Sequence, residues 1–308
     1  MAAGELIRRW RSDRLIDLWA QLGPLRRGSG DPTWAQDSGG GIWRTSLTPA
    51  GPGVERLSID SGAREVVQAS YGPGAHWLGD RLPRLLGDDD DPSGFRPPDP
   101  LKVTAKRFAD WRAGRTDLVL EALIPAVLEQ KVTGKEAWLG WRTLVRTFGT
   151  PAPTPAGAPA GLRVFPPPAV WLAIPSWEWH RAAVDKKRST TVMEVARQAE
   201  SLEKVIAATA GRANERLRHV PGVGIWTTAE AVQRSLGDAD AVSYRDYHLA
   251  KHIVYTLTGE TGGTDERLAE LLLPFAGHRY RIQRLVELGG HGQPRRGPRM
   301  TVHDMRKM

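Results

Sequence analysis

The chain has 308 residues, 40% apolar and 25% charged, an ordinary composition for a folded protein of two domains or one large one. It sets 43 Lys and Arg against 35 Asp and Glu, and the net charge of +8 favours a polyanionic partner. It has no cysteine, which excludes a disulfide framework, a thiolate zinc site and an iron–sulfur cluster.

No apolar run reaches the roughly 18 residues of a membrane span, and the opening MAAGELIRRWRSDR lacks the apolar centre of a secretion signal. A cytoplasmic protein acting at the chromosome, without membrane contact, is the expectation. Residues 1–100 then read as β-rich. The segments 15–20, 41–47, 54–59 and 63–71 are rich in Val, Ile, Trp and Thr, and Gly and Pro clusters separate them. An amphipathic helix is predicted over 73–86, with Trp77, Leu78, Leu82, Leu85 and Leu86 on one face. The product is a short antiparallel sheet covered by one helix. The run Asp88, Asp89, Asp90, Asp91 before Pro92 reads as a solvated, helix-ending loop in preference to a metal site.

Thr116 and Asp117 stand as an N-cap before a helix whose apolar positions are Leu118, Val119, Leu123, Ile124, Val127, Leu128 and Val132. Pro125 inside that run predicts a kink or a late start. Trp138, Trp141, Leu144, Val145 and Phe148 recur at helical spacing as a core stripe. Residues 150–161, TPAPTPAGAPAG, suit a loop or linker. Trp171, Trp177 and Trp179 read as core before they read as base-stacking groups. Lys186, Lys187 and Arg188 open the next helix, either as phosphate contacts or as a solvated face.

The stretch 219–252, HVPGVGIWTTAEAVQRSLGDADAVSYRDYHLAKH, is the one the rest of the chain serves. Pro221-Gly222-Val223-Gly224 is a tight turn that opens an apolar helical run at Ile225. Such a turn gathers bare N–H groups and the positive end of a helix dipole at one point, which makes an anion site. Asp246 follows an acidic loop and precedes a helix predicted over 247–256. His248 and His252 are spaced like a zinc pair, but the glutamate of His-Glu-x-x-His and a third ligand are missing, so zinc is rejected. Further helical runs fall at 266–275 and 279–288.

The hairpin from Val220 to Ala229, with Asp246 in an Asp-Tyr-His-Leu context, resembles the helix-hairpin-helix (HhH-GPD) DNA glycosylase superfamily, closest to DNA-3-methyladenine glycosylase II. The order of elements before residue 100 resembles the small N-terminal domain of that same group, and the likeness runs over roughly 40–288. The resemblance implies a mainly helical α+β fold. A β-rich domain at 1–100 precedes an all-helical, two-lobed core at 101–288, interrupted by the Pro/Ala-rich loop 150–161, and 289–308 form a basic, disordered tail.

It implies Asp246 as the catalytic carboxylate, and Trp226 and Glu230 as walls of the pocket for an extruded base. It also implies DNA contacts at Gln130, Lys131, Thr133, Val220, Gly222, Val223, Gly224 and Thr227. Relatives that also cut the backbone keep a lysine where Trp226 stands, so a hydrolytic, monofunctional enzyme for alkylated purines is expected. Lys131 replaces the apolar wedge of many relatives, and Glu230 replaces a frequent aromatic. No cofactor is implied, and the one metal allowed is a monovalent or divalent cation on hairpin carbonyls. The expected partner is double-stranded DNA with a damaged base, bound by a monomer. A glycosylase of this fold for uracil or hypoxanthine, or a non-catalytic DNA-binding module, are the rival readings.

Overall fold

The structure is a computed structural model and describes residues 5–294. The tail expected at 289–308 therefore lies, from residue 295 onward, outside the described residues. The chain opens with five antiparallel strands, β1 (Leu6–Arg11), β2 (Trp34–Gln36), β3 (Ile42–Thr48), β4 (Gly51–Asp60) and β5 (Glu65–Tyr71), in the order β1-β5-β4-β3-β2. Two helices accompany them, α1 (Leu18–Leu22) and α2 (Ala75–Leu85).

The segment 15–20, expected as a strand, is corrected to the start of α1. Asp17 accepts hydrogen bonds from the Trp19 and Ala20 amides and so caps a helix where β-propensity alone suggested an extended chain. The edge strands β1 and β2 carry no clean alternation and escape a reading by pattern. One face of the sheet buries Ile42, Leu57 and Val66 against Leu82, Leu85 and Leu86 of the α2 region. Residues 150–164 cover the other face. They contain the short pair β6 (Thr150–Pro151) and β7 (Arg163–Val164), and Leu162 packs with Trp43, Val54 and Tyr71. The expected linker is thus a packed lid on the sheet. Gly72, at φ +87°, permits it, since a Cβ there would lie 2.3 Å from Cγ of Pro153.

The rest of the chain is helical: α3 (Lys102–Arg107), α4 (Val119–Leu128), α5 (Gly134–Phe148), α6 (Pro168–Ala173), α7 (Ser176–Arg181), α8 (Lys186–Arg197), α9 (Ala199–Glu203), α10 (Ala210–Arg218), α11 (Ile225–Ser235), α12 (Leu249–Thr258), α13 (Asp265–Leu272) and α14 (Arg279–Leu288). One apolar cluster joins α4, α5, α8, α10 and α11 around Leu123, Val127, Trp141 and Val192. A second joins α12, α13 and α14 around Ile253, Leu268 and Ile282, and takes Leu101 from before α4. Trp171 and Trp179 are core residues, while Trp177 is exposed. Among the described residues no helix is long and apolar enough to cross a membrane.

Several charged groups sit deeper than their sequence context suggested. Asp117 does not cap α4. It has φ +55° and lies buried against Arg115, Arg81 and Arg84. The first amides of α4, from Val119 and Leu120, instead donate to Glu203 at 2.8 and 2.9 Å. Asp90, expected in a solvated loop, forms a buried ion pair with Arg281. These are tertiary substitutes for local capping, and local sequence holds no trace of them.

Candidate active site

α10 ends near His219, and the chain turns through Pro221-Gly222-Val223-Gly224 into α11. Gly222 has φ +88°, and a Cβ there would stand 2.1 Å from Thr191 Oγ1 on α8. Only glycine satisfies both conditions. Gly224, exposed and extended, is the N-cap of α11, and no side chain caps that helix. The first amides of α11 and its dipole therefore open onto the exposed turn, an arrangement suited to a phosphate. Val220, Val223 and Thr227 are buried. Their side chains face inward, and what this turn exposes beside them is the backbone of Gly222 and Gly224.

Gln130, at the end of α4, donates from Nε2 to the Gly222 carbonyl at 3.0 Å and to Thr227 Oγ1 at 2.8 Å. Its amide nitrogen is used within the protein, where it ties the α4–α5 loop to the hairpin. Lys131 follows, exposed, with φ +56°. Thr133 is the N-cap of α5 in a reciprocal capping box with Glu136, so its hydroxyl is also engaged. At the root of this loop Glu129 meets Arg27 at 3.3 Å. Burial pushes the Glu129 carboxyl above its ordinary range, against the pull of Arg27. Of the basic trio at the start of α8, Arg188 is buried and donates to the Leu128 carbonyl at 2.8 Å. Lys186 and Lys187 remain exposed.

Asp246 lies half-buried just before α12. One carboxylate oxygen accepts from the amides of His248 at 2.8 Å and Leu249 at 3.0 Å, so the side chain does cap the helix, which starts at Leu249, two residues later than predicted. The other oxygen accepts from Trp226 Nε1 at 3.3 Å. Trp226 is on the first turn of α11, so the hairpin, the indole and the carboxylate meet at one helix end. Tyr247 is exposed beside them, with the Lys251 ammonium 4.5 Å from its ring centre. Three N–H donors fix the carboxylate in place. A carboxylate so held can stabilise positive charge that develops on a group brought against the indole.

Glu230, one turn beyond Trp226, is found inside the protein and not on an open wall. Its carboxylate accepts from Ser243 Oγ at 2.5 Å and pairs with Arg234 at 2.8 Å. The Glu230–Arg234 spacing is visible in the sequence as an i, i+4 pair. Ser243, Gln233, Gln283 and Asp265, which surround the Asp246 loop, carry no local signal and were missed. Among the described residues no cluster of three or more His, Asp or Glu side chains is placed to hold a metal ion.

No family model matches the chain. Over 220 residues it is 31% identical to a protein from two strains of Mycobacterium tuberculosis, described as a probable bifunctional transcriptional activator/DNA repair enzyme AlkA. The match covers 68% of this chain but 40% of the relative, so the chain spans about two fifths of the length of the curated relatives it matches. Among solved structures, 3-methyladenine DNA glycosylase from Archaeoglobus fulgidus superposes with a TM-score of 0.72 at 17% identity, over 91% of this chain and 97% of its own. The 8-oxoguanine glycosylase/lyase of Clostridium acetobutylicum, in complex with DNA, superposes with a TM-score of 0.70 at 12% identity, over 94% and 98%. At such identities the two structures share the fold.

Proposed function

The chain belongs to the helix-hairpin-helix DNA glycosylase superfamily and resembles its 3-methyladenine glycosylases, and from that premise we propose that it is a monofunctional DNA glycosylase for alkylated purines. The substrate class is a purine of the 3-methyladenine or 7-methylguanine type in double-stranded DNA. The observation that carries the reading is the contact of Trp226 with Asp246 at the mouth of the hairpin.

The chemistry follows from the bond to be broken. An N-alkylated purine carries positive charge and leaves readily, taking the electron pair of the C1′–N bond. The deoxyribose then holds an oxocarbenium-like charge. The hairpin amides hold the backbone phosphate, the exposed loop at Lys131 enters the space the base vacates, and the electron-rich indole of Trp226 receives the cationic base. The Asp246 carboxylate faces the sugar charge, and water adds at C1′ with loss of a proton. Trp226 stands where lyase relatives keep an amine, so no Schiff base forms there and the product is an intact strand with an abasic site.

The test is excision from duplexes that each carry one lesion, by the wild type and by Asp246→Asn. Asparagine keeps an acceptor for the His248 and Leu249 amides, so the helix stays capped. Excision of alkylated purines is expected from the wild type, lowered about a hundredfold or more in the variant, the scale of losing one preorganised charge. Undiminished excision by Asp246→Asn overturns the assignment of the residue. A covalent adduct trapped with borohydride overturns the monofunctional reading, and excision of uracil or hypoxanthine alone overturns the substrate class. A wild type that excises nothing leaves DNA binding as its function.

A further inference from the structure

The loop that carries Asp246 is anchored on both sides by hydrogen bonds that involve neither the hairpin turn nor Trp226. On one side is Ser243, 2% exposed. Its hydroxyl donates to Glu230 Oε1 at 2.5 Å and accepts from Gln233 Nε2 at 3.0 Å, both on α11. Its amide donates to Gln283 Oε1 on α14 at 3.2 Å. The carbonyl of the same residue accepts the Asp246 amide at 3.2 Å. On the other side is Arg245, which holds φ +69°. Its amide donates to Oδ2 of Asp265, the first residue of α13, at 2.8 Å.

A non-glycine residue in the left-handed region is disfavoured by about five- to thirtyfold against its ordinary conformation. Something outside the loop must hold Arg245 there, and the Asp265 carboxylate is the group in contact with its amide. The φ of Arg245 sets the direction of the next residue, so its release swings Asp246 away from Trp226. The geometry points to Ser243 and Asp265 as positioning residues for Asp246, an inference that rests on the catalytic reading of that aspartate. Glu230 takes part through Ser243: its place is in the mount of the carboxylate.

Single-turnover excision and affinity for abasic-site DNA, measured on the full chain, test this. Asp265→Ala is expected to slow excision about tenfold and to leave affinity within about twofold, because the loss falls on the aim of one carboxylate and not on the hairpin. Asp265→Asn keeps an oxygen acceptor for the Arg245 amide and should restore most of the rate. Arg245→Gly, which removes the left-handed penalty, should shrink the effect of Asp265→Ala in the double variant. Ser243→Ala should slow excision with the same split between rate and affinity.

Wild-type rates in both alanine variants, beside an inactive Asp246→Asn, overturn the positioning role and leave the catalytic reading intact. An Asp265→Asn as slow as Asp265→Ala overturns the role of Asp265. Wild-type excision by Asp246→Asn overturns the catalytic reading itself, and this inference with it.

Discussion

Two loops meet at the first turn of α11, and they are held in different ways. The loop after α4 presents Lys131 and the loop before α12 presents Asp246, and each contains one non-glycine residue in the left-handed region, Lys131 at φ +56° and Arg245 at φ +69°. The Asp246 loop is tied at both ends by bonds from α11, α13 and α14, and the Asp246 carboxylate itself accepts three N–H donors. The Lys131 loop is tied at its root by Glu129 and Gln130, and beyond them its lysine is exposed. The difference matches two physical demands. A carboxylate that must face a charge forming at one atom has to be aimed, whereas an ammonium on a four-carbon stem has only to reach.

The root of the Lys131 loop gives the largest expected effect. Glu129→Ala leaves Arg27 buried without its partner, and the cost should be about 3–5 kcal/mol in urea unfolding. A loss below about 1 kcal/mol, the scale of an exposed pair, would show that this root is not held by the ion pair.

The helix that carries the loop supplies the second test. Glu121 on α4 accepts the Leu47 amide at 2.6 Å, and burial pushes its pKa up to about 7. Between its ordinary 4.5 and that value the folded protein keeps a proton that the unfolded chain has lost. The stability from this group is therefore present below pH 4.5 and is lost as pH rises to 7. The advantage of Glu121→Gln over the wild type should grow by about 3 kcal/mol between pH 4.5 and 8. A constant difference between the two proteins across that range would break the argument.

The smallest effect is expected at Lys131 itself. Lys131→Ala should leave the melting temperature unchanged, weaken binding to abasic-site DNA several-fold, and lower the slope of log affinity against log salt by about 1. An unaltered salt slope would show that the Lys131 ammonium reaches no phosphate, against the reach inferred for it here.

Much of this molecule was legible from residues alone. The strands β3, β4 and β5, the helix α2 and the helix α14 follow from apolar spacing and from Gly and Pro punctuation. The hairpin was legible because its turn needs glycine for a backbone reason, seen at Gly222 in both its φ and its closeness to Thr191. The expectation that Asp246 stands at a helix start also holds, since Asp is a good acceptor for amides two and three residues on.

Tertiary structure decided what those residues can do. Whether Thr227 meets DNA or faces inward, and whether Glu230 lines a pocket or braces Ser243, depends on which elements pack on α11, and spacing along the chain does not encode that. The first amides of α4 find their acceptor 84 and 83 residues away at Glu203, and the amide of Arg245 finds its own 20 residues on at Asp265. A helix period or a turn motif is a local property, set by φ, ψ and neighbouring side chains. The partner of a buried charge or a strained amide is set by the closing of distant segments on one another. The sequence by itself determined where the Asp246 carboxylate stands in the chain, and only the packing of α11, α13 and α14 decided where it points.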